Sequence, residues 1–258
     1  MNVLDLSGKT GLVLGIANRW SIAYAIGSLL QSHGARLAVT YQNERVADEV
    51  LKLTGDWPGV LPLACELTDD AQVEAVFNRI RDEFGSLNYL IHCIAFADRG
   101  ELQGPFRNIS RDGFHTSLDI SAYTLIGAAQ RAAPLMRAGD SSILTLTYMA
   151  SERVVPNYNV MALAKAALEN SVRYLASDLG PLGIRVNAIS AGPVRTASAR
   201  AISGFTDMLK QHAAKSPLRR NVTAEEVGKA ALYLCSDLAS GVTGTVHFVD
   251  GGYHILGA

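Results

Sequence analysis

The chain has 258 residues, 48% of them hydrophobic and 18% charged, with a formal net charge of −1. That length allows one large core, and the near-neutral balance argues against nucleic acid or an anionic membrane as a partner held by bulk charge. No apolar run approaches the roughly 18 residues of a membrane span.

Met1–Thr10 contains Asp5 and lacks the apolar core of a secretory signal. Cys65, Cys93 and Cys235 are odd in number and fit no metal-site spacing. A reduced, cytoplasmic protein with no metal site is expected.

Strand-like and helix-like patterns alternate along the chain. Thr10–Leu14 reads as a first strand entering Gly15, and Ser21–His33 as a helix closed by Gly34. Arg36–Tyr41 is a second strand, Asn43–Thr54 a polar-faced helix and Val60–Ala64 a third strand. Thr68 is read as the N-cap of a helix over Asp69–Phe84. Tyr89–Ile94 is a fourth strand, Gly113–Ala138 a long helix interrupted by Pro134, and Ser142–Thr147 a fifth strand. A helix over Asn159–Leu179 and a strand over Arg185–Ile189 follow. Thr223 and Glu226 form a capping box for a helix to Ser236, and Val246–Val249 is the last strand.

This alternation predicts an α/β fold of the Rossmann type: a doubly wound, seven-stranded parallel sheet, with residues 1–258 as one domain. Such sheets bind ligands beyond the carboxyl ends of their strands. The informative residues should therefore stand just after strands.

After the first strand, Gly15 allows a tight turn, and Ser21 opens the helix. The Ser21 hydroxyl and the first helical N–H groups are suited to a pyrophosphate. An ordinary strand–helix turn with Ser21 as a cap is the competing reading. After the second strand comes Gln42, whose amide suits ribose hydroxyls without charge. Arg45 lies three residues further on beside Glu44, which favours NADH over NADPH. Cys65-Glu66-Leu67 follows the third strand, with Glu66 placed to accept from an adenine amino group. Small residues after the fourth strand let the backbone approach a ligand, and Phe96 offers an apolar wall. Gly192 and Pro193 turn the chain after the sixth strand, and backbone groups beyond them are suited to a carboxamide.

Tyr158 and Lys165 begin the helix after the fifth strand. Seven residues are roughly 700° of helical rotation and about 10 Å of rise, so the two share a face. A neutral phenol beside an ammonium is a donor aimed at developing oxyanion charge.

With these residues in place, the chain resembles the short-chain dehydrogenase/reductase superfamily. More closely, it resembles the NADH-dependent bacterial enoyl-acyl-carrier-protein reductases, over essentially its whole length. The motifs that carry the resemblance are Gly15…Ser21-Ile22, Tyr41-Gln42, His92–Ala97, Tyr148 with Tyr158 and Lys165, Ala191–Thr196 and Val249–Gly252. In that family the active-site tyrosine precedes the lysine by seven residues. The carbonyl-reducing members place it four before, with a serine seventeen before. Here those two positions hold Met161 and Tyr148.

The resemblance implies dinucleotide contacts from Gly15, Ser21, Ile22, Gln42, Glu66, Leu67, Ile94 and Lys165, and from Val194, Arg195, Thr196, Ala197 and Ser198. It places Ala97 against the acyl substrate, with Phe96, Tyr148 and Tyr158 around it. Tyr148, Tyr158 and Lys165 are the expected catalytic set. Glu66 departs from the family's usual Asp, and Ala95 from a frequent Gly. The implied activity is reduction of the trans-2 double bond of enoyl thioesters on acyl carrier protein with NADH, in fatty-acid elongation. The implied assembly is a homotetramer.

A carbonyl reductase of the same superfamily and a non-catalytic NAD(P) sensor are the alternatives. A further expectation is that residues 196–215 form a mobile segment closing over the ligands.

Overall fold

The computed structural model describes residues 4–196, 199 and 203–257. Its sheet has seven strands: β1 (Thr10–Leu14), β2 (Arg36–Tyr41), β3 (Leu61–Ala64), β4 (Tyr89–His92), β5 (Ser141–Thr147), β6 (Ile184–Ala191) and β7 (Val246–Val249). All pairings are parallel and the order is β3-β2-β1-β4-β5-β6-β7. β1 pairs with β2 on one side and β4 on the other, so the winding reverses there. That is the doubly wound architecture the alternation implied.

Successive strand residues feed opposite faces. Leu12, Leu14, Leu90 and Ile143 enter one core layer, while Val13, Tyr89, Ile91 and Leu144 enter the other. The first layer is closed by α3 (Asp70–Phe84), α6 (Thr124–Ala132) and α7 (Asn159–Leu179). The second is closed by α1 (Ile22–Ser32), α2 (Glu44–Thr54) and α9 (Ala224–Cys235). Central strands covered on both faces favour apolar runs, which is how β1 and β4 read, while β5 buries serines and threonines as well. Pro62 is tolerated in β3 because that strand is at the sheet edge.

Several sequence readings are corrected. The N-cap of α3 is Asp69, not Thr68; its carboxylate accepts from the Ala71 and Gln72 N–H groups. β4 stops at His92 rather than Ile94, which frees the residues beyond it from the ladder. The long helix over Gly113–Ala138 is four pieces. α5 (Arg111–Leu118) runs into a π turn over Asp119–Tyr123, then α6, then a 3₁₀ turn at Ala133–Leu135 that contains Pro134.

A one-turn α4 (Arg99–Leu102) and an eleven-residue α8 (Phe205–Lys215) were not anticipated. α8 occupies half of the segment read as mobile. It is a regular helix with Phe205, Leu209 and His212 buried. Among the described residues, no helix is long and apolar enough to cross a membrane.

Candidate functional site

A cavity of about 570 Å³ opens at the carboxyl ends of the central strands. One wall is the loop after β1. Gly15 has φ +93°, and a Cβ there would lie 2.7 Å from the Cys93 carbonyl oxygen. Any side chain would therefore be both strained and in collision with backbone. The loop ends at Ser21, which caps α1. Its hydroxyl donates to the Asn18 carbonyl and accepts from the Tyr24 N–H. The cap reading of Ser21 is thus realised, and the amino end of α1 faces the cavity through Ser21, Ile22 and Ala23.

The opposite wall is built by three consecutive residues at the end of β5 and its exit. The Leu146 carbonyl accepts from the Lys165 ammonium at 2.8 Å. The Thr147 hydroxyl donates to the Glu169 carboxylate at 2.6 Å. The Tyr148 ring packs against Tyr158, with centroids 5.1 Å apart. Tyr158, Lys165 and Glu169 are spaced seven and four apart along α7, so one helix face presents all three to one strand end.

Burial pulls the Lys165 pKa down to about 8, although Cys93 and Glu169 act in the opposite direction. Burial pushes Tyr148 up to about 12, helped by Tyr253 and Asp250. Burial, then Tyr148, raises Tyr158 well above the usual phenol range. Both phenols are therefore neutral donors at ordinary pH, beside a lysine that still carries its charge at neutrality. The Tyr148 hydroxyl contacts the Met208 sulfur at 3.7 Å. That of Tyr158 has no hydrogen-bond partner among the described residues.

Gly15, Ser21, Ile22 and Ile94 line the cavity, as do Phe96, Ala97, Tyr148, Tyr158 and Lys165. Val194 and Thr196 line it too. Gln42, Glu66, Leu67 and Arg195 do not. Gln42 and Glu66 are joined to each other, the amide donating to the carboxylate at 2.8 Å. Burial raises the Glu66 carboxyl, but hydrogen bonds from Gln42 and Thr68 outweigh that and hold it below the usual carboxylate range. Leu67 packs against the core, and Arg195 is exposed. Ala197 and Ser198 lie outside the described residues.

Sequence reasoning missed Leu102 on α4, which lines the cavity; Phe205 and Met208 on α8, inside the 196–215 segment expected to close over the ligands, line it too. It also missed Glu169, whose spacing from Lys165 was the available signal. Met161, four residues before Lys165, is 6% exposed and lines the cavity. A thioether thus occupies the position four residues, about one helical turn, before the lysine.

A crossover sheet, a glycine-first loop opening onto a helix and a buried tyrosine–lysine pair at the strand ends describe a Rossmann-type, dinucleotide-dependent reductase. A family model described as enoyl-(acyl carrier protein) reductase matches residues 15–254. NADH-dependent enoyl-acyl-carrier-protein reductases of Rickettsia felis and Bacillus cereus are 49% and 50% identical to this chain. Each alignment covers 98% of this chain, and 97% and 99% of the respective relatives.

Among solved structures, the Bacillus cereus reductase with NADP+ and an indole naphthyridinone superposes with a TM-score of 0.95 at 50% identity, covering 98% of this chain and 99% of that one. The Anaplasma phagocytophilum reductase with NAD gives 0.92 at 45% identity, covering 98% and 94%. The chain belongs to the enoyl-acyl-carrier-protein reductase family.

The residues present fit a nicotinamide dinucleotide. The Gly15 turn leaves no side chain between the loop and Cys93, and the helix opening behind it offers N–H groups to a pyrophosphate. Gly15→Ala should weaken NADH binding by about tenfold or more, because the displaced loop no longer fits against Cys93. Fluorescence titration of NADH checks this; a Kd within about twofold of wild type contradicts it.

Proposed function

We propose that this chain reduces the trans-2 double bond of enoyl thioesters carried on acyl carrier protein, with NADH as the reductant. The observation that carries this reading is the pairing of Met161 with Tyr158 in one cavity. A thioether at the position four before Lys165 has no proton to give a ketone oxygen. The phenol seven before Lys165 has its hydroxyl available. Family membership and the names of the relatives support the same activity.

Gly15, Ser21, Ile22, Ile94, Lys165 and the Val194–Thr196 backbone would hold the dinucleotide, with Gln42 and Glu66 at its adenosine end. When bound, NADH supplies the hydride taken up by the β-carbon. The negative charge that develops on the thioester oxygen meets the Tyr158 hydroxyl. Its raised pKa makes that group a hydrogen-bond donor that holds its own proton, which is stabilisation of the oxyanion-hole kind. An ammonium has three N–H donors, and Lys165 uses one on Leu146, which leaves two for the ribose hydroxyls. Tyr148 and Met208 bound the pocket beside Tyr158, and Phe96, Ala97 and Phe205 face the acyl chain. Closure of residues 203–215 over the bound pair belongs to this reading, and slower amide exchange there in the ternary complex is its test.

A homotetramer is proposed with it. Tyr123, Ile126 and Tyr174 expose apolar surface at 51%, 39% and 73%, and molecular mass in solution tests the assembly. A cytoplasmic location accords with three free thiols, and fractionation of the source cells tests it.

The assay is NADH oxidation with crotonyl thioester against acetoacetyl thioester. Turnover is expected with the first alone; oxidation only with the second would establish a carbonyl reductase, and with neither a sensor. Tyr158→Phe should lower kcat for the enoyl substrate by about 10²–10³-fold and leave NADH affinity nearly unchanged. An unaltered kcat removes Tyr158 from the mechanism.

In this reading Gln42 and Glu66, bonded to each other, bring a carboxylate to the adenosine end, with no base bonded to either among the described residues. NADH should therefore exceed NADPH in kcat/KM by about tenfold at one ionic strength. The Bacillus cereus complex with NADP+ makes this comparison a sharp one, and a clear preference for NADPH would contradict the assignment of Gln42.

A further inference from the structure

The π turn between α5 and α6 brings two hydroxyls to the end of β4. In a π turn the backbone N–H reaches five residues back, and here that of Thr124 reaches the Asp119 carbonyl. Such turns add a residue to the helical path and redirect the side chains on it. Thr124 and Ser121 are both buried. The Thr124 hydroxyl donates to the Ile120 carbonyl at 2.6 Å and lies 2.9 Å from Nε2 of His92, within hydrogen-bond reach. His92 is fully buried and bonds Thr145 through Nδ1 at 2.9 Å.

Ser121 does more. Its Oγ accepts from the Phe96 N–H at 2.9 Å and lies 3.1 Å from the Phe96 carbonyl, to which it donates. Phe96 is past the end of the strand and outside any helix, so no ladder serves its backbone. One side chain satisfies both of its polar groups.

The two attachments bracket Cys93–Ala95, all of which line the cavity. On the cofactor side, Ile94 stands so close to Gly15 that a Cβ on the glycine would lie 2.8 Å from its side chain. On the other side, Phe96 and Ala97 lead into α4 with Arg99 and Leu102. Among the described residues, Ser121 alone bonds the Phe96 backbone at that junction.

We propose that Ser121 is a positioning residue for the enoyl thioester: by clamping both backbone groups of Phe96, it sets where Phe96 and Ala97 stand in the cavity wall. This rests on the enoyl reductase reading given above. Ser121 touches neither reacting atom, so its effect should fall on substrate recognition, with cofactor affinity untouched.

Ser117 supplies a matched control. It lies four residues earlier, is equally buried, and its hydroxyl has no partner among the described residues. Ser121→Ala and Ser117→Ala delete the same atom from neighbouring turns. Ser121→Ala should raise KM for crotonyl thioester by about tenfold, the worth of two ordinary hydrogen bonds, with the NADH Kd within about twofold of wild type. Ser117→Ala should leave both constants unchanged. Equal KM shifts in the two variants, or none in Ser121→Ala, would overturn the proposal.

A second measurement uses the wild-type protein alone. The Phe96 amide should exchange slowly with solvent although it belongs to a loop, and exchange at the rate of an unprotected loop amide would also overturn the proposal. Absence of enoyl turnover in the wild type would instead remove the parent reading, and the Phe96 exchange tests the clamp independently of it.

Discussion

Lys165 is 5% exposed, and the site is arranged around a charge withdrawn from water. An isolated buried ammonium costs several kcal/mol, so it shifts its pKa or finds partners. Lys165 does both. The Leu146 carbonyl accepts one N–H hydrogen bond at 2.8 Å, and Glu169 lies one helical turn further along, oriented by Thr147. The other ionisable neighbours stay neutral. Burial and the lysine's own charge hold His92 down to about 3, and burial keeps the Cys93 thiol up at about 12. The charged groups described at this strand end are the Lys165 ammonium and the Glu169 carboxylate, held on one helix face by Leu146 and Thr147.

That arrangement depends on the sheet. Leu146, Thr147 and Tyr148 stand at the end of β5, a strand bonded on both sides, to β4 and β6. Each engages a different residue of α7. The helix cannot rotate or slide without breaking the Lys165–Leu146 and Glu169–Thr147 bonds together. With the tyrosine at the N-cap of α7, the position four before the lysine falls to Met161, and all three line one cavity.

Much of this was legible in the sequence. β2, α7 and β7 begin and end where the periodicity placed them, because each is a regular run bounded by turn residues. The post-strand loops pointed to the cavity for Gly15, Ile94 and the Tyr158–Lys165 pair, since the carboxyl ends of parallel strands converge. The π turn was not legible. Its residues are ordinary helix formers, and the register of backbone hydrogen bonds leaves no mark on hydrophobic spacing. α8 was missed because it buries only Phe205, Leu209 and His212, too sparse a stripe to stand out after Gly204. Leu102 reaches the cavity through tertiary packing that no local pattern encodes. Gln42 and Glu66 were each read as facing a ligand alone, whereas side-chain geometry joins them.

The most direct measurement of the central claim is an NMR titration of the Lys165 side-chain nitrogen in the free protein, assigned by comparison with Lys165→Met. A buried ammonium held by a carbonyl should lose its proton near pH 8, the value burial imposes. Titration at the ordinary lysine value of about 10.4 would show that the charge is solvated and would contradict the account of the site.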